Sequence, residues 1–292
     1  MYELIHLKGN TYYIKGFTNL GLYKLNDNDV VLIDTPMKGY AEEIYNILLE
    51  NGFNLKYIVN THSHPDHTGC DQYLAERTGC QIIASRIERA FMRNSKLDVG
   101  FLSGGYPLDN YDTNLMHVDE QHDIRSFLHL PEGLHSFKLP GHHYAMRGIK
   151  TSDGVYFLAD SICTKKLLDK ENIMLIYDVA GYKRSLNFIK GLKGHIMVPA
   201  HADVSRDLNE LADYNLLKME EIESVILKAI DRPLNYDEIF KRVFNHYNIR
   251  LGYNKYLLMS STIRSYISYL CHHKRLAPSF VDNMLVFTRV EE

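Results

Sequence analysis

Residues 61–69 read Thr-His-Ser-His-Pro-Asp-His-Thr-Gly, and four groups able to bind a transition metal fall inside six positions of that stretch: His62, His64, Asp66 and His67. Imidazole nitrogen is a borderline ligand suited to zinc, iron and similar ions, and a carboxylate oxygen adds negative charge. Four ligands on so short a loop do not easily converge on one ion. The His-x-His pair can reach one ion and the adjacent Asp-His pair a second. A lone histidine would read as a solvated loop residue, but a cluster of this density points to metal.

The elements around the cluster must carry it. The apolar run Leu55-Lys56-Tyr57-Ile58-Val59 precedes it, so the ligands sit at the carboxyl end of a strand, where α/β proteins place their sites. Upstream, Tyr12-Tyr13-Ile14, residues 21–25 and Val30-Val31-Leu32-Ile33-Asp34 read as an antiparallel meander with a turn at 26–29. Residues 40–51 read as a helix with Ile44, Ile47 and Leu48 on one side and Gly52 past its end. Residues 70–78 read as a second helix closed by Gly79, and Gln81-Ile82-Ile83-Ala84 as a strand. This order implies an α/β or α+β core. Residues 100–130, with Gly104-Gly105-Tyr106-Pro107 and Asp109-Asn110-Tyr111-Asp112, signal a loop that suits a lid or a substrate-facing insertion as readily as a surface excursion.

From residue 134 β character returns. His135-Ser136-Phe137-Lys138-Leu139 leads into Pro140-Gly141-His142, and a hairpin is expected around Ser152-Asp153-Gly154, with Val155-Tyr156-Phe157-Leu158-Ala159 running into Asp160. A helix is expected over 182–192. A strand over 195–198 ends at Pro199-Ala200-His201. The texture changes after about residue 205. One long amphipathic helix covers 207–231, and a second is capped by Asn235-Tyr236-Asp237-Glu238. A third opens at Ser260-Ser261, with Ile263, Tyr266, Ile267 and Leu270 at helical spacing. Two short strands around Asp282-Asn283 follow, and helices followed by a β-hairpin describe a winged-helix module.

Composition narrows the field. A chain of 292 residues suits one large domain or a large domain plus a small one, and 45% hydrophobic residues can build a full core. A net charge of −3 argues against a protein held to nucleic acid by bulk charge. Cys70, Cys80, Cys163 and Cys271 form no Cys-x-x-Cys pair and read as reduced thiols, which favours a cytoplasmic location. The first residues carry Glu3, His6 and Lys8 and no apolar leader segment, and no apolar run reaches the ~20 residues of a membrane helix.

Taken together, the Asp34 strand end, the histidine loop, Gly141-His142, Asp160 and Ala200-His201 resemble, in order, the metallo-β-lactamase-fold hydrolases over roughly residues 1–205. The resemblance implies an α+β fold, a four-layer αββα sandwich, over 1–205, followed by a small winged-helix-like domain over 206–292. It implies that His62, His64 and His142 hold a first metal, that Asp66, His67 and His201 hold a second, and that Asp160 bridges both. Asp34 resembles the family's structural aspartate, which supports the histidine loop without being a ligand. His142 is followed by His143, and the Pro-Gly-His context favours the first of the two as ligand. Two departures stand beside ligands: His143-Tyr144-Ala145 replaces the usual Thr-Pro-Gly, and Ala202 follows the last histidine where many members have glycine. The remaining histidines have no motif context and read as surface residues.

Two close cations lower the pKa of a bridging water towards neutrality, so the expected reaction is hydrolysis of a small ester, thioester, lactone or amide, with Asp66 as ligand and proton shuttle. Two Zn²⁺ ions are the first expectation, with Mn²⁺ or Fe served by the same ligands. The C-terminal module is similar to that of the lactamase-β-2-like group, some of whose members are endoribonucleases. RNA is therefore the competing substrate, with Arg264, His272, His273, Lys274 and Arg275 as its candidate edge. An iron redox enzyme and a metal-responsive DNA-binding regulator are readings of a different class. A homodimer is compatible with the sequence.

Overall fold

The structure is a computed structural model that describes residues 1–106, 108 and 123–290. The alternation of large side chains along its strands dictates two sheets packed face to face. The first sheet has seven strands in chain order: β1 (Glu3–Lys8), β2 (Thr11–Lys15), β3 (Leu20–Lys24), β4 (Asp29–Ile33), β5 (Asn54–Val59), β6 (Gln81–Ala84) and β7 (Ile124–Ser126). Strands β1 to β4 form the antiparallel meander, and β4 to β7 run parallel. The second sheet has the order β11-β10-β9-β8, from β8 (Leu134–Lys138), β9 (Arg147–Thr151), β10 (Val155–Ala159) and β11 (Ile196–Pro199).

Side chains two apart share a face of a strand. Val31 and Ile33 of β4 therefore meet Val155 and Phe157 of β10 between the sheets, together with Val59, Ile83, Ile149 and Val198. Val30 and Leu32 face the other way, onto Ile44 and Leu48 of α1 (Ala41–Glu50) and Leu74 of α3 (Asp71–Thr78). Tyr156 and Leu158 likewise turn outward onto Leu186 and Ile189 of α7 (Val179–Lys190). The result is the four-layer order of helices, sheet, sheet and helices. The expected α+β class is the observed one.

Short helices fill the connections: α2 (Pro65–Thr68), α4 (Glu88–Arg93), α5 (Lys96–Ser103) and α6 (Lys165–Glu171). The last part of the chain contains α8 (Asn209–Ala229), α9 (Tyr236–His246), α10 (Tyr253–His272) and a hairpin of β12 (Leu276–Val281) and β13 (Met284–Arg289). Helix α9 opens on a reciprocal cap: Glu238 N–H donates to Asn235 Oδ1 (3.0 Å) and Asn235 N–H donates to Glu238 Oε2 (3.1 Å). The hairpin turns on Asp282 and Asn283, both left-handed (φ 48° and 62°), as a type I′ turn requires. The apolar faces of α8, α9 and α10 join Tyr156, Leu158, Leu186 and Ile189 in one continuous cluster.

The sequence reading needs correction in four places. Strand β1 is a largely exposed edge strand whose residues lack the apolar alternation that would reveal it. Helix α10 begins at Tyr253, seven residues before Ser260-Ser261. Ser260 is buried inside the helix, and its hydroxyl donates to the Leu257 carbonyl (3.3 Å) instead of capping an N-terminus. The expected loop at 100–130 starts inside α5 and takes in β7 and a 3-10 turn over Phe127–His129, and residues 107 and 109–122 of it lie outside the described residues. Helices α2, α4, α5 and α6 are likewise unexpected from the sequence; they are short, and their weak periodicity gives little signal.

Phe240 is almost fully buried at the centre of the C-terminal cluster. Phe240→Ala is expected to cost about 3–5 kcal/mol in a denaturant titration of the metal-free protein. A loss below about 1 kcal/mol would show that this cluster does not carry stability.

Candidate metal centre

Four strand ends deliver the candidate ligands to one edge of the sandwich. Strand β5 ends at Val59, two residues before the histidine loop; β8 leads to His142, β10 to Asp160 and β11 to His201. Two of these deliveries use unusual backbone. Ala159 is left-handed (φ 48°), which turns Asp160 out of β10, and its carbonyl accepts from Ala200 N–H (3.0 Å). Gly141 lies at φ 131°, and a Cβ there would stand 2.3 Å from the Tyr182 backbone nitrogen, so only glycine lets the His142 loop lie against α7. The Gly141 carbonyl accepts from the N–H groups of Tyr177 and Asp178 (2.8 and 2.9 Å).

Asp34, at the end of β4 and also left-handed (φ 64°), anchors the histidine loop. Its Oδ1 accepts from Thr61 N–H (2.7 Å). Its Oδ2 accepts from the Thr61 hydroxyl (2.7 Å) and from His67 Nδ1 (2.8 Å). The same hydroxyl stands 3.1 Å from His62 Nδ1. Two other rings are held by carbonyls: His142 Nδ1 donates to Leu175 O (3.0 Å) and His201 Nδ1 to Phe17 O (3.1 Å). In each of these four rings the outer Nδ1 is engaged, which turns Nε2 inward.

The inward atoms form two groups. His62 Nε2 and His142 Nε2 each lie 3.0 Å from His64 Nδ1, and His142 Nε2 is 3.4 Å from Asp160 Oδ2. Asp66 Oδ2 is 3.1 Å from His201 Nε2 and 3.8 Å from His67 Nε2, while Asp160 Oδ1 is 3.0 Å from His67 Nε2 and 3.4 Å from His201 Nε2. Each group of four could hold an ion, and Asp160 belongs to both. All seven residues singled out in the sequence are thus brought together. Asp34 stays outside both groups.

The donor set fits a cation. His67 Nε2 and Asp160 Oδ1 are both buried without a hydrogen-bond partner, although they are close neighbours. Orphaned buried polar atoms are costly, and a shared cation satisfies both at once. Electrostatics divide the rings in the same way. Burial, then the neighbouring imidazoles, pushes His62 and His64 well below the usual histidine range. Burial works against a charge on His67 and His201 too, but the surrounding carboxylates outweigh it. His67 rises well above its ordinary value through Asp160, Asp34 and Asp66, and His201 rises to about 12 through Asp160 and Asp66.

A third cluster was not foreseen. His143 is buried beside His64, with its Nε2 3.0 Å from Asp98 Oδ1 and its Nδ1 in ion-pair contact with Glu88 Oε2 at 2.8 Å. Despite burial, the carboxylates of Glu88 and Asp98 lift His143 to about 10. Of the two histidines at 142 and 143, it is His142 that joins the first group. Nothing around Glu88 or Asp98 in the sequence marks them; the one available signal was the second histidine in place of the usual threonine.

An aromatic wall rises beside this edge. Tyr144 stacks on Tyr177 (4.5 Å between ring centres), and Phe101 meets both at 5.6 and 4.9 Å. The Arg147 guanidinium donates to the Ser136 hydroxyl (3.0 Å).

Residues 13–201 match the Metallo-beta-lactamase superfamily, and the chain belongs to it. A beta-lactamase domain protein from Burkholderia ambifaria superposes with a TM-score of 0.71 at 15% identity, over 99% of this chain and 95% of that one. A metallo-beta-lactamase family protein from Thermus thermophilus gives 0.68 at 16%, over 99% and 98%. BJP-1, a subclass B3 metallo-beta-lactamase of Bradyrhizobium japonicum, gives 0.54 at 19%, over 77% and 94%. At these identities the likeness is one of fold. An uncharacterized protein of Methanocaldococcus jannaschii is 30% identical over 76 residues, which span 26% of this chain and 19% of that protein. No helix among the described residues is long and apolar enough to cross a membrane.

The division of the rings sets a pH dependence. Near neutral pH the raised His67 and His201 hold protons in the metal-free protein, whereas the lowered His62 and His64 are already neutral. In calorimetric Zn²⁺ titration in buffers of different ionisation enthalpy, an ion taken up by the group of His67 and His201 should release about two protons, and one taken up by the group of His62 and His64 close to none. The proton-releasing step should weaken as pH falls. Equal proton release in both steps would contradict this division.

Proposed function

We propose that the two donor groups hold two divalent cations and that the protein hydrolyses a small ester, thioester, lactone or amide. In this reading His62, His64 and His142 hold the first ion, Asp66, His67 and His201 the second, and Asp160 both. The observation that carries it is the Asp160 carboxylate, whose Oδ2 addresses His142 while its Oδ1 addresses His67 and His201. Nitrogen and carboxylate donors in groups of four suit Zn²⁺ first, with Mn²⁺ or iron compatible. A bound pair of such cations acidifies water and polarises the oxygen of a carbonyl.

The chain's own residues supply the rest. Asp66 is the more accessible of the two carboxylates, at 24% side-chain exposure against 11% for Asp160. With Oδ2 held beside His201, its carboxylate takes the proton of the attacking water and returns it to the leaving group. His62, His67, His142 and His201 keep their lone pairs inward because their outer nitrogens are engaged. The aromatic wall of Phe101, Tyr144 and Tyr177 beside the site supports an apolar-faced small molecule over a polyanion. Leu257 of α10 packs on Val99 and Leu102 of α5, the helix that carries Phe101, so residues 206–292, taken as a second unit, back one wall of the pocket. The guanidinium of Arg264 lies over the rings of Tyr236 and Phe240 (5.5 and 5.0 Å), a packing role that weakens the RNA alternative. A cytoplasmic enzyme fits the free thiols of Cys70, Cys80, Cys163 and Cys271.

Metal analysis should find about two ions per wild-type chain and about one in His67→Ala. Chelation should abolish hydrolysis of aryl esters and thioesters, and added Zn²⁺ should restore it, while a fluorogenic RNA stays intact. Unchanged metal content in His67→Ala would overturn the two-ion reading. RNA cleavage without ester hydrolysis would move the substrate to phosphodiesters.

A further inference from the structure

His64 is the ring that the supports described so far leave out. Its Nδ1 faces His62 and His142, and neither Asp34 nor a backbone carbonyl reaches its other edge among the hydrogen bonds of the described residues. Asp98 and His143 each offer a donor atom within 4.8 Å of one on His64. The His143 ring packs edge-on against the His64 ring at 4.7 Å and is covered by Phe91 at 5.0 Å.

Behind His143 lies Glu88, which is completely buried. An isolated carboxylate there would be strongly destabilising, so its contacts have to be good. Its Oε2 accepts from Ser63 N–H (3.1 Å), between His62 and His64, and its Oε1 accepts from Ala145 N–H (2.8 Å), three residues after His142. With the His143 contact, one carboxylate ties together the two loops that carry His62, His64 and His142. Asp98 comes from α5, which is braced from outside where Val99 and Leu102 pack on Leu257 of α10.

We propose that Glu88, His143 and Asp98 form a positioning unit for the first ion, which sets the spacing of the His64 and His142 loops and the orientation of the His64 ring. This rests on the two-ion reading above. The unit adds to the support that Asp34 gives His62 through Thr61, and it is built from the α4–α5 segment. None of its three members is one of the first ion's ligands.

The metal-free protein titrated with Co²⁺, followed by visible absorption, tests this directly. Wild type should take up two Co²⁺. Glu88→Gln keeps the shape but loses one acceptor oxygen, and Asp98→Asn leaves the Ser63 and Ala145 bonds intact. Each should weaken the first Co²⁺ by about 10–100-fold and shift its ligand-field bands, with the second Co²⁺ unaffected. Asp98→Asn should also keep the melting temperature of the metal-free protein, so the loss is not one of folding. Three outcomes overturn the proposal: both variants titrate like wild type, both ions weaken together with a fall in melting temperature, or wild type takes up a third Co²⁺ that Asp98→Asn loses. The first of these leaves the two-ion reading standing. A wild type that takes up no Co²⁺ ends both.

Discussion

Five imidazoles and two carboxylates crowded at one sheet edge would collapse onto one another if their rings were free to turn. What prevents this is the engagement of outer nitrogens. Asp34 holds His67 directly and His62 through the Thr61 hydroxyl, and main-chain carbonyls hold His142 and His201. Each of these four rings then has one orientation, with Nε2 turned inward. Left-handed backbone at Asp34 and Ala159, and a glycine at 141 pressed against α7, is the local strain that the two-sheet core must offset. A rigid sandwich below makes that strain affordable, because four strand ends cannot move independently.

Much of this is legible in the sequence, for reasons that can be named. The histidine loop is visible because its ligands are contiguous, and β4 and β10 because two-residue alternation over buried strands leaves a strong signal. His142, Asp160 and His201 are visible only because each follows a β-rich run, in the order of the resembling family. Glu88 and Asp98 are invisible, since they sit on short helices and are joined to the site only by the fold. His143 was seen but read as a rival to His142, although it does a different job. Ser260 was misread because a serine inside a helix and a serine at its cap look alike until its hydroxyl partner is known.

The C-terminal helices link stability to the site. They share one apolar cluster with Tyr156 and Leu158 on the outer face of the second sheet, and α10 presses on α5 next to the aromatic wall. In the proposed function this makes them part of the pocket. Superposition of two solved relatives over nearly the whole chain shows that the full arrangement, and not only the sandwich, recurs.

The central claim is that Asp160 is shared by two ions. Zn²⁺-loaded crystals measured on both sides of the zinc absorption edge test it most directly. The account predicts two anomalous peaks, one beside His62, His64 and His142 and one beside Asp66, His67 and His201, with the Asp160 carboxylate touching both. A single peak at full zinc loading, or a second peak that Asp160 does not touch, would contradict it.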